Sequence, residues 1–155
     1  GEGAALIKRE GAGKPLEEKI AIANALLGRP GQRIDNDPFP TIASGEKFAD
    51  LPGHVWRVMV APADAPSVAA EFNAQHWLGD WAGGLIWLAA PVADASRIRA
   101  IAAAARGQAM LLRASSDARA ALGLYAPQLP ALAELSRAVK AAFDPLGLFN
   151  PGRLS

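Results

Sequence analysis

The chain has 155 residues, with 16 basic and 15 acidic side chains and a formal net charge of +1. That length suits one domain with a buried core, and the near-neutral balance gives no case for nucleic acid or anionic lipid as the main partner. It contains no cysteine, which excludes disulfides, thiolate metal sites and a cysteine nucleophile. Alanine supplies 35 residues, so the 51% hydrophobic fraction overstates the bulky core. No apolar run has the length of a membrane span, and the opening GEGAALIKRE lacks a signal-peptide layout. The start carries no methionine, so the chain reads as a portion of a longer one.

Ala5 to Arg9 suit a short strand. A helix follows, with Pro15 in its first turn, Glu17 and Glu18 at its positive end, apolar spacing through Leu16, Ile20, Ala23 and Leu27, and a stop at Gly28. Residues 29–53 hold four prolines and read as a loop-rich, flexible connection, most of all over 30–53, with a short strand near Arg33–Asp35 and a short helix near Glu46–Asp50.

HVWRVMVAP is the clearest strand: Val55, Arg57 and Met59 share one face, and Trp56, Val58 and Val60 the other. Asp64 to Phe72 read as a short helix. HWLGDWAGGLIWLAA reads as two strands, roughly 75–81 and 85–90, around a tight Gly83-Gly84 turn. Asp94 caps a predicted helix over Ala95–Arg106, which Gly107 ends, and QAMLLRA is a further strand. The last helix has the best apolar stripe, through Leu132, Leu135, Val139 and Phe143. The order predicts an α+β fold: a mostly antiparallel sheet with helices packed on one face and ferredoxin-like β-α-β passages.

The chain shows no self-contained catalytic set. His54 and His76 lie on separate strands with no carboxylate at ligand spacing, so a metal site is not expected. Ser44, Ser115 and Ser116 lack the surroundings of a nucleophile elbow, and GEGAAL and GRPGQR match neither a P-loop nor a dinucleotide fingerprint. Three features remain. Arg57 is the lone cation in VWRVMV; it is either an outward-facing strand residue or a guanidinium presented to a carboxylate from a rigid strand. Asp80, at the hairpin shoulder, is placed to orient a cation such as Arg57, while Trp77 and Trp81 read first as sheet-face packing. The tail brings Asn150 before Pro151, then Gly152, which permits close backbone approach, then Arg153; alternatively it is a helix stop packed on its own domain.

The tail segment AAFDPLGLFNPGR resembles the C-terminal end of FAD-linked oxidases of the vanillyl-alcohol oxidase and D-lactate dehydrogenase type, which follow the pattern FDP-x-G-x-x-NPG-[KR]. VWRVMVAP, WLGDWAGGLIWL and MLLRA further resemble GlcE-type FAD-binding subunits of bacterial glycolate oxidase, most strongly from Leu51 to Ser155. The resemblance implies that residues 1–155 form one C-terminal cap domain, with FAD held mainly by an N-terminal domain outside this chain. It places Asn150, Gly152 and Arg153 near the cofactor, Arg57 and Asp80 on the substrate side, and the whole in the oxidation of glycolate to glyoxylate. The implied partners are that flavin-binding domain, the other oxidase subunits and a small 2-hydroxyacid; the implied setting is cytoplasmic, with membrane association through partner subunits. The catalytic relatives carry a GHxGDGNxH-like segment where this chain has LGDWAGGLIW, without histidine after Trp77. The resemblance therefore leaves open whether this subunit oxidises substrate itself. A non-catalytic subunit-interaction domain is the second reading, and an RNA-binding α+β domain, with Arg57 and Arg113 beside tryptophans, the third.

Overall fold

A computed structural model describes residues 5–34 and 36–149. By its contacts the chain divides into two units, Gly1–Pro38 and Phe39–Ser155.

The first unit is built on α1 (Lys14–Leu27), with proline in its first turn and Gly28 as a left-handed C-cap at φ 66°. Ala23 is its one buried residue. The strands expected over Ala5–Arg9 and near Arg33 do not form among the described residues. Their side chains serve ion pairs instead: Arg33 meets Glu17 of α1 at 2.6 Å, and Lys8 meets Glu10 at 3.0 Å and Asp37 at 2.8 Å. Without a neighbouring strand to satisfy its backbone, a short apolar run such as Leu6-Ile7 has no sheet to join.

The second unit runs α2 (Phe39–Ala43), a 3-10 turn (Glu46–Phe48), β1 (His54–Met59), α3 (Ala65–Phe72), β2 (His76–Asp80), β3 (Leu85–Ala90), α4 (Ala95–Ala104), β4 (Gln108–Arg113), α5 (Ser116–Leu122) and α6 (Pro130–Phe143). The four strands lie in the order β2-β3-β1-β4, every pair antiparallel. Each β-α-β passage thus leaves one lane between its strands, which a strand of the other passage fills. This is the ferredoxin-like arrangement, and the α+β expectation holds.

Both faces of the sheet are apolar. Trp56, Val58, Ile86, Leu88, Ala109 and Leu111 form the larger core with Val68 and Phe72 of α3 and Ile98 and Ala102 of α4. The opposite face gathers Val55, Leu85, Trp87 and Ala89 under Phe48. Residues 39–48 therefore carry more structure than their prolines suggest, because Phe48 is only 4% exposed and packs on the sheet.

Local details follow from backbone geometry. The hairpin between β2 and β3 is wider than a Gly-Gly turn. Trp81, Ala82 and Gly83 take positive φ (51°, 52° and 97°), while Gly84 is right-handed at φ −70°. Asp94 precedes α4, but its side chain accepts no capping hydrogen bond. Helix α5, in a stretch with no bulky periodicity, is started by Ser115, whose hydroxyl oxygen accepts from the Ala118 amide at 3.3 Å. Beyond α5 the Leu124 carbonyl accepts from the Leu111 amide at 2.8 Å, covering the outer edge of β4. No described helix is long and apolar enough to cross a membrane.

Candidate functional site

The antiparallel register sets Leu78, Trp87, Arg57 and Met110 side by side across the sheet, on the face opposite α3 and α4. Trp87 is fixed there. It is 1% exposed, its ring stacks on Phe48 at 6.3 Å, and it lies so close to Gly45 that a Cβ there would come within 2.8 Å of the ring. Arg57 is half-buried beside it, with Cζ 5.0 Å from the Trp87 ring centre and 5.6 Å from that of Trp81. Two donors on this face, Arg57 Nε and Trp87 Nε1, are buried without an acceptor among the described residues.

Other arginines of the second unit do find oxygen partners. Arg97 donates to the Glu71 and Phe72 carbonyls at 3.0 and 2.9 Å. Arg99 donates to those of Leu122, Gly123 and Tyr125 at 2.8, 3.1 and 3.0 Å. Arg119 donates to Leu112 at 2.8 Å. These are structural clamps. Arg99 also lies over the Trp56 ring at 5.6 Å and its Nε is likewise buried without an acceptor, but its terminal nitrogen has carbonyls, whereas Arg57 is flanked by two aromatic faces. A cation–π contact contributes about 0.5–1 kcal/mol when exposed, against about 1.5–3 for a hydrogen bond to a charged group, so the guanidinium is left with capacity for an anion.

Asp80 shares this face but does not reach Arg57. It stands two strands away, about 10 Å across the sheet, and one row further along. Its Oδ1 accepts from the Trp81 amide at 2.7 Å, fastening the loop rather than the arginine. Trp77 and Trp81, expected as sheet packing, are 51% and 61% exposed; Trp56 and Trp87 are the buried pair. The sequence reading missed Trp87 as a site residue. Strand alternation gives residue 87 a face, but only the long-range pairing of β3 with β1 puts it opposite residue 57.

His54 pairs with Ala90 and His76 with Ala89, so the histidines stand on opposite faces. His76 lines a cleft of about 420 Å³ with Asn73, Asp94 and Arg97. The described residues contain no group of three side chains suited to a metal ion.

The third feature begins at α6. None of its residues is buried; Leu132, Leu135, Val139 and Phe143 are half or more exposed, and Leu146, Leu148 and Phe149 follow them into solvent. Yet the turn after the helix is ordered. The buried Asp144 carboxylate accepts from Lys140 Nζ at 2.7 Å and from the Leu148 and Phe149 amides at 2.8 and 3.0 Å. Lys140 also donates to the Phe149 carbonyl at 3.0 Å, and Gly147 turns the chain at φ 65°. The Lys140 ammonium, helped by the two amides, holds the Asp144 carboxyl below its ordinary range against the opposing effect of burial. Phe149 is thereby folded back, and with Leu135, Val139 and Phe143 it lines an apolar cleft of about 560 Å³. Asn150, Gly152 and Arg153 lie outside the described residues.

No family model matches the chain, and no solved structure matches it. One curated protein, the glycolate oxidase subunit GlcE of Escherichia coli (strain K12), is 32% identical to it over 139 residues, 89% of this chain and 36% of that protein. The chain thus spans about a third of the length of this relative. This alignment agrees with the resemblance read from the tail and the strand motifs: over 139 residues the chain is similar to part of a glycolate oxidase subunit.

Proposed function

We propose that this chain is the C-terminal cap of an FAD-binding subunit of a glycolate oxidase complex, and that it presents a carboxylate-binding face to the substrate. The observation that carries the reading is the 32% identity, over 89% of the chain, to a glycolate oxidase subunit. Two structural features support it. Arg57 and Trp87 leave orphaned donors on an apolar sheet face, the polarity pattern of a small-acid site. The apolar stripe of α6 and the folded-back Phe149 form a surface suited to bury against a further body, here the flavin-bearing part of the same subunit.

The described residues do not themselves fit a flavin dinucleotide. They contain no glycine-rich strand-to-helix phosphate cradle, and their orphaned donors suit one small anion rather than a pyrophosphate and two ring systems. In this reading FAD sits on the length of the relative that this chain does not span, and Asn150, Gly152 and Arg153 contribute to its binding. When bound there it supplies the hydride acceptor for the α-carbon of a 2-hydroxyacid such as glycolate, yielding glyoxylate. This chain's own part is binding and orientation. The Arg57 guanidinium takes the carboxylate through paired hydrogen bonds and fixes the acid against a rigid indole wall.

The test is reconstitution. The chain is produced alone and together with the remaining part of the subunit and its partner subunits, and flavin absorbance and glycolate-dependent dye reduction are measured. We expect the chain alone to be colourless and inactive, with both signals appearing on assembly. Flavin bound by the chain alone would refute the division of labour. An assembly fully active without this chain would refute the function.

A further inference from the structure

The two rings around Arg57 differ in burial, 1% exposed for Trp87 and 61% for Trp81. Trp87 is locked beneath Phe48 and Gly45. Trp81 sits on a loop where it and Ala82 both hold left-handed backbone, at φ 51° and 52°. Neither is glycine, so the loop stores strain, and such strain is kept where the surroundings hold it. Two hydrogen bonds hold it here: Asp80 Oδ1 accepts from the Trp81 amide at 2.7 Å, and the Trp81 carbonyl accepts from the Gly84 amide at 3.0 Å. The Trp81 ring consequently rests 5.6 Å from Arg57 Cζ, on a hinge with a single side-chain latch.

We propose that Trp81 is the movable wall of the Arg57 site: an incoming carboxylate displaces its ring from the guanidinium, and the displaced ring limits the substituent that the α-carbon of the acid carries. This rests on Arg57 binding a carboxylate and deepens it by assigning substrate size to Trp81. Asp80 becomes a positioning residue acting through the Trp81 backbone. The physical reason is a difference in bond strength. A carboxylate offers the orphaned Arg57 Nε the acceptor it lacks, which a ring face does not. The exposed ring yields, because the buried one has nowhere to go. Once aside, the indole flanks the ligand and leaves room for the two α-hydrogens of glycolate more readily than for an alkyl group in place of one of them.

The experiment follows the indole N–H resonances of the ¹⁵N-labelled 155-residue chain during titration with sodium glycolate and with 2-hydroxybutyrate, against sodium chloride at equal ionic strength. Trp81→Phe assigns the Trp81 signal. The proposal expects a saturable shift of the Trp81 signal with glycolate and a much smaller one for Trp87. It expects the preference for glycolate over 2-hydroxybutyrate to fall about ten-fold in Trp81→Ala, the scale of one small apolar group in a pocket. Asp80→Ala should lose the preference in the same direction, while Asp80→Asn, which keeps an acceptor, should retain most of it. A saturable shift elsewhere with Trp81 unmoved, or an unchanged preference in Trp81→Ala, overturns the role of Trp81 and leaves Arg57 as the carboxylate site. Equal shifts with chloride, no saturable shift at all, or undiminished binding in Arg57→Gln overturns the carboxylate site itself, and the wall with it.

Discussion

Lys140 and Asp144, one helical turn apart at the end of α6, are joined by a 2.7 Å hydrogen-bonded ion pair whose carboxylate also receives two backbone amides. The pair ties the last turn of a helix to the segment that leaves it. Because Asp144 is held below its ordinary range in the folded chain, its contribution is present at every pH above the unfolded-state value. It is lost as pH falls through the lower, folded value. We expect the Leu148 and Phe149 amides to be protected from hydrogen exchange at neutral pH, relative to their intrinsic rates, and to lose protection only in strong acid. In Asp144→Asn the protection should be reduced at neutral pH, and the acid step should disappear. A protection profile unchanged by the substitution would show that the turn is held by something else.

Gly107 tests backbone packing. A Cβ there would collide with the Met59 carbonyl oxygen and approach Val60 Cγ1 to 2.7 Å, so Gly107→Ala must push α4 away from β1. We expect a loss of about 2–3 kcal/mol in denaturant unfolding. Gly147→Ala meets nothing within 4 Å and has only its φ of 65° to strain it, so it should cost about 1 kcal/mol.

Arg99 gives a local prediction. Burial pushes its guanidinium below the usual arginine value, yet it stays charged and holds three carbonyls between Leu122 and Tyr125. Arg99→Met should open that segment, by about 1.5–3 kcal/mol, before the sheet unfolds. Limited proteolysis would detect early cleavage within residues 122–129, and an unchanged pattern would mean that the carbonyls find other donors.

The α6 stripe separates folding from assembly. Leu135 is 60% exposed and Val139 is 50%, so Leu135→Glu with Val139→Glu should change the stability of the chain by no more than about 0.5 kcal/mol per site. The same pair should abolish association with the flavin-bearing part, read by co-purification and size exclusion. Retained association would move the docking surface elsewhere.

The loop beside Arg57 makes the opposite trade. Ala82→Gly removes left-handed strain of about 1–2 kcal/mol and adds unfolded-state freedom of about 0.5–1, so the thermal midpoint should rise slightly. A fall would mean that the Ala82 methyl has a packing role.

The strand alternation of VWRVMV made the two faces of β1 legible, and the Gly107 stop made the end of α4 legible, because both depend on local backbone chemistry. Helix α5 was not, since seven residues rich in alanine carry no periodic stripe and only the Ser115 cap marks them. The early strands failed for a related reason: Leu6 and Ile7 have strand character, but pairing is a long-range property that no short window contains. The α6 pattern was read correctly as amphipathic, while its exposure depends on what lies against it. Arg57 stood out as an isolated charge. Its indole neighbour Trp87 emerged only from the register of β3 against β1. Asp80 was read at the hairpin shoulder as a partner for a cation, but the nearest donor, the amide of the next residue, claimed its carboxylate.

The Leu124 carbonyl on the Leu111 amide, with Arg99 securing the carbonyls on either side of it, closes one border of the sheet. Among the described residues the other border, along β2, has no such cover. Any extended peptide that lengthens this sheet therefore has one frontier available to it, and it would arrive alongside Trp77, next to the loop that shapes the Arg57 face.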